Sequence, residues 1–145
     1  RNGDAAVVVV QAAENARQHA DRILRGAAEQ ARIEQEARER QWHLYMAAAH
    51  TQVQQQKRIE HFLADANDWA TAERLREYCN AAQAAHGQDP GTHEYLQWAQ
   101  TYVSSIDPLS SAPTFPAPEE PTEQELQEQL PPGWSSRGPG QASRW

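Results

Sequence analysis

Along the first 86 residues apolar side chains recur at intervals of three and four, the spacing of one helix face, and the residues between them are mainly Ala, Gln, Glu and Arg. No proline occurs before Pro90, and between Gly3 and Gly87 the only glycine is Gly26. Nothing local therefore opposes a helical backbone over this stretch. Asp4 suits the first N-cap. The run Val7–Val10 favours strand by propensity, but no turn residue separates it from "QAAENARQHA", which places it at the start of the helix; a strand continuing an upstream domain is the alternative. A thin stripe of Ala16, Ala20, Ile23 and Ala27 follows, flanked by acid-before-base pairs four apart: Asp21 with Arg25, Glu34 with Arg38, Glu36 with Arg40. The heptad register lapses near Gln30 and Glu34, which gives a long coiled coil only weak support.

Past Arg40 the stripe enlarges to Trp42, Tyr45, Met46, Ala49 and Val53, then to Ile59, Phe62, Leu63 and Ala66. Asn67 and Asp68 read as an interruption, with Asp68 capping a second helix whose face holds Trp69, Ala72, Leu75, Cys79 and Ala82. That helix stops at "HGQDPG", because Gly87 suits the position just past a helix end and Pro90 cannot continue one. Thr92 is the expected cap of a third helix with Tyr95, Ala99, Tyr102, Val103 and Ile106 on its face, ended by Asp107 and Pro108. Beyond Leu109 the chain holds seven of its nine prolines and little to bury. This is a tail, with one short helix near 122–130 marked by the capping-box spacing of Thr122 and Glu125. The expected fold is all-α: a long helical arm (1–58), a small three-helix unit (59–109) and a proline-rich, largely irregular tail (110–145).

Composition limits the function. The chain is 39% hydrophobic with a mean hydropathy of -0.89, which leaves little for a large core. Its net charge is -7, and residues 65–107 carry two arginines against seven acids. Phosphate recognition needs clustered Lys and Arg, so direct nucleic-acid contact is disfavoured. The longest apolar run, Ala5–Val10, is far short of the ~20 residues that cross a bilayer, and no membrane association is expected. A single cysteine is compatible with a reducing cytoplasm. The chain opens on Arg1 without a signal-peptide pattern, and reads as a segment of a longer protein.

The stretches "WATAERLREYCNAAQAAHGQD", "YLQWAQTYVSSIDPL" and "PPGWSSRGP" resemble the C-terminal region of a bacterial family of uncharacterised proteins. The matching positions are Trp69, Ala72, Arg76, Tyr78, Cys79, Trp98, Ala99, Asp107, Pro108, Leu109, Gly133, Trp134 and Ser135. "SSID" departs from the more basic end of that family's helix. The resemblance implies a charged helical arm, two tryptophan-bearing helices and a proline-rich tail. It implies no activity.

Candidate chemistry is sparse. A catalytic Cys79 needs a histidine and an electropositive setting; His86 lies seven residues on, and a small apolar residue turned inward is the simpler reading. His43 and His50 share a face about 10 Å apart along the helix axis, too far for one ion. His61 and His93 meet only if the fold brings them together, and Glu73 with Glu77 form a solvated pair. No catalytic residue, metal ligand, cofactor or small-molecule substrate is assigned, and an enzyme is not expected. Trp134, in a tail with little to bury, has the character of a docking motif. The expected partner-binding residues are Trp42, Tyr45, Met46 and Val53 on the arm with Leu126, Leu130 and Trp134 in the tail. They suit a protein partner or self-association through the arm. The competing reading is the dimerisation segment of a nucleic-acid-associated accessory protein whose binding domain lies upstream.

Overall fold

The computed structural model describes residues 2–142 of the chain. Helix α1 runs from Asn2 to His86, α2 from Pro90 to Ile106, and α3 from Glu123 to Gln129, with a 3-10 turn at Pro108–Ser110. Among the described residues there is no strand; one isolated antiparallel bridge joins Ser135 and Gly138. The all-α class, the long first helix and the irregular tail are thus as expected. The valine run is helical and exposed.

The expected break at Asn67 and Asp68 is absent. Asn67 and Asp68 lie inside α1, which continues unbroken to His86. Neither residue removes a backbone hydrogen or clashes with the preceding turn as proline does, and the neighbours are helix formers. Thr71 Oγ1 donates to the Asn67 carbonyl at 3.0 Å, as a residue one turn on does within a helix. What was expected as two helices is therefore one, and the hairpin that follows is built from the end of α1 and α2.

The chain forms two compact units, one of residues up to His50 with those from Thr122, the other Thr51–Pro121. In the second, α1 turns into α2 over three residues. The Gly87 amide donates to the Gln83 carbonyl at 2.9 Å, and a Cβ at Gly87 would stand 2.5 Å from that same oxygen, so this position admits only glycine without a shift. Asp89, not Thr92, is the N-cap of α2: its carboxylate accepts from the Gly91 amide at 2.9 Å. Pro90 at the first helical position has no amide to leave unsatisfied, which lets the helix start earlier than Thr92.

The hairpin core is small-sided. Ala72, Cys79, Leu96 and Val103 are buried, with Leu75, Ala99 and Ile106 half-buried. Trp69, Phe62, Trp98 and Tyr102, which their size marks as core anchors, are exposed. At the open end of the hairpin Arg76 donates to Glu73 at 2.9 Å and to the Asp107 carboxylate, tying α1 to the end of α2. Asp107 also caps the 3-10 turn by accepting from the Leu109 amide at 2.9 Å. Its carboxyl is held below the ordinary aspartate range, chiefly by the Arg76 guanidinium and then by the Leu109 amide. Arg58 lies over the Phe115 ring, 4.2 Å from its centroid, within the same unit.

Candidate partner-binding surface of the arm

On α1 the half-buried positions Ala31, Gln35, Arg38, Trp42 and Tyr45 follow one another at intervals of four and three. A single face of the arm is therefore covered, and the covering segment is the tail. Helix α3 starts with the expected capping box: Thr122 Oγ1 accepts from the Glu125 amide at 3.1 Å and Glu125 Oε1 accepts from the Thr122 amide at 2.9 Å. After α3 the chain turns at Gly133, whose φ of 86° is open to glycine and strained for other residues. The Trp134 amide donates to the Pro131 carbonyl at 3.2 Å across this turn.

That turn presents the Trp134 indole to the arm. The Arg38 guanidinium lies over it, 3.9 Å from the ring centroid, and Tyr45 meets it edge-on with centroids 5.0 Å apart. Around the indole the arm holds the tail by its backbone. Trp42 Nε1 donates to the Ser135 carbonyl at 2.7 Å, Arg38 Nε to the Pro139 carbonyl at 2.5 Å, and Gln35 Nε2 to the Gly140 carbonyl at 2.8 Å. Gln35 Oε1 also accepts from the Ala142 amide at 3.1 Å, so one side-chain amide satisfies a backbone donor and acceptor as a neighbouring strand would. Gln127 of α3 repeats the device, donating to the Trp134 carbonyl and accepting from the Ser136 amide, both at 2.8 Å.

The structure thus brings Trp42, Tyr45 and Trp134 together. Met46, Leu126 and Leu130 are half-buried, and Val53 is buried within the hairpin unit. From the sequence Gln35 and Gln127 had no expected role, and Arg38 was expected only to pair with Glu34. Gln35 and Arg38 lie in phase with Trp42 and Tyr45, and that phase was the available signal. Arg38, expected to pair with Glu34, serves the tail, while Glu34 accepts from Gln30 at 3.1 Å. Arg25 donates to the Asp21 carbonyl at 3.4 Å, and Arg32 bridges Glu29 and Glu36.

The other candidate groups are dispersed. Cys79 is buried in the hairpin seam. His43 packs against Trp42 with centroids 4.9 Å apart, and His61 faces Asp65 at 3.3 Å. Glu73 is engaged by Arg76, while Glu77 and His93 are exposed. Among the described residues no group of three or more His, Cys, Asp and Glu side chains is placed to hold a metal ion, and no helix is long and apolar enough to cross a membrane. A recess of about 500 Å³ is lined by Gln54, Lys57 and His61 together with Pro116–Glu119. The chain matches no protein-family model, no curated protein and no solved structure.

Proposed function

We propose that the chain is a non-enzymatic helical interaction or oligomerisation module acting in the cytoplasm. The observation that carries this reading is the seat on α1. Three side chains of the arm, Gln35, Arg38 and Trp42, donate to carbonyls of a Pro- and Gly-containing segment, and Arg38 and Tyr45 receive its one tryptophan. Holding an irregular, turn-containing segment by its carbonyls and one aromatic anchor is similar to the way peptide-binding grooves seat linear motifs, and here the chain's own tail fills the seat.

The test is a titration of a labelled peptide of residues 131–142 into the full chain and into Trp134→Ala. In the intact chain the tail competes; in Trp134→Ala the indole site is vacated, and the peptide is expected to bind at least tenfold tighter. Binding to neither chain would sink the reading, and equal weak binding to both would deny the seat its role.

A further inference from the structure

The two flanks of the α1–α2 hairpin differ in chemistry. On one flank stand Arg76, Asn80, Gln100 and Ser104, around a polar recess of about 250 Å³. On the other, Tyr95, Trp98 and Tyr102 form a ladder along α2. Trp98 and Tyr102 are stacked at 6.0 Å with an interplanar angle of 5°, and Tyr95 and Trp98 are 6.5 Å apart. Tyr78 of α1 stands beside them, and its neighbouring phenol is the main cause that raises the Tyr95 phenol above its ordinary value. Behind these rings Leu75, Ala82, Ala99 and Ile106 are only half-covered. The result is an apolar floor of small and aliphatic side chains beside a raised aromatic ridge.

From this face we infer that the hairpin pairs with the hairpin of a second copy of the chain, ridge over floor, to make a four-helix bundle. The inference rests on the reading of the chain as an interaction module and names a partner and a surface for it. Two observations select a second copy as the occupant. A two-fold interface sets a patch against itself and so disfavours net charge; the ridge and floor side chains are uncharged, and of the seven acids in residues 65–107 Glu94, one turn before Trp98, borders the ridge. The area also fits. Tyr78, Tyr95, Trp98 and Tyr102 are 56, 49, 66 and 50% exposed, which at about 200 Å² per ring leaves roughly 450 Å² of aromatic surface on each copy. Two such faces with their floors total about 1,000 Å², the lower bound of a specific interface, which corresponds to a weak, concentration-dependent dimer. Two hairpins packed by such faces give the ordinary four-helix arrangement.

Sedimentation equilibrium on the full chain, from about 1 to 500 µM, tests this. The expected result is a reversible dimer, with acrylamide quenching of tryptophan falling as concentration rises. Trp98→Glu and Tyr102→Glu are each expected to weaken association at least tenfold while circular dichroism shows unchanged helix; Trp98→Gln repeats the test without adding charge. A strict monomer throughout would overturn the inference. So would a dimer indifferent to these changes, including one abolished by Val8→Asp, which would place self-association on the arm. A monomer whose Trp98 fluorescence responds to a proline-rich peptide would also overturn it, and give the face to a ligand of that kind. The peptide titration on Trp134→Ala is read independently: peptide binding by a strict monomer would leave the module reading standing and remove this one.

Discussion

Ala72 has no exposed surface, and Cys79, one face-repeat further along α1, is buried with it. A seam lined by such small side chains lets two helices approach closely, and added volume has nowhere to go. Ala72→Leu is therefore expected to destabilise the hairpin by about 1–3 kcal/mol, whereas Cys79→Ala should cost ~1 kcal/mol at most, since little volume is lost. Trp69, at 45% exposure, should lose only about 1 kcal/mol on replacement by alanine, well below the ~3–5 kcal/mol of a fully packed tryptophan. Thermal melts of the three variants check the order; a larger loss for Trp69→Ala than for Ala72→Leu would mean the seam is misassigned. Here size misleads a reader of the sequence. Trp69, Trp98 and Tyr102 are the large residues of the stripe and invite assignment to the core, but in a two-helix hairpin only the narrow line of closest approach is shielded, and the small side chains fill it. Asp107 offers a test of another kind. Its side chain is 8% exposed beside Arg76, and its carboxyl titrates below the ordinary value. A depressed carboxyl contributes stability that is present above the unfolded-state pKa and lost as pH falls through the folded one. The thermal midpoint of the native chain should consequently drop more steeply than that of Asp107→Asn as pH falls from about 5 to about 2; parallel curves would deny the Arg76 contact.

At the scale of elements, most boundaries were legible because they are set by single residues with local consequences. Pro90, Asp107 with Pro108, and Thr122 with Glu125 each fix the backbone within a turn, and the helices begin and end beside them. The continuity of α1 was not legible, because Asn and Asp favour an N-cap over a helix interior, and only the helix-forming neighbours on both sides carry the helix through them. The two possibilities predict opposite behaviour of Asp68→Pro. At the start of a separate helix proline would be tolerated; inside α1 it removes a hydrogen bond and clashes with the turn before it, at a cost of about 3 kcal/mol or more. A melt of Asp68→Pro unchanged from the native chain would restore the break. The tail seat was half legible: Trp134 stood out because a proline-rich segment has no folding use for it, but the side chains that grip its backbone are polar residues of an otherwise solvated arm.

For the molecule as a whole, the division into two units assigns the tail to the arm and the segment before it to the hairpin. Ending the chain after Pro121 is accordingly expected to expose Trp42 and Tyr45, seen as greater tryptophan quenching, while leaving the melt of the hairpin unit in place. Loss of the hairpin transition in that truncation would show that its stability depends on the tail. The manner in which the seat is filled has a further consequence for any rival ligand. The tail reaches its place through a covalent tether of Ser111–Pro121, which has no helix of its own. A tethered ligand acts at an effective concentration on the order of millimolar when the connection is short and flexible. A free peptide of identical sequence therefore needs millimolar amounts to displace half of the tail, whatever its intrinsic affinity. A competing peptide would instead have to add contacts of its own or arrive as several linked copies, because the length of the chain's own leash sets how often the seat stands open.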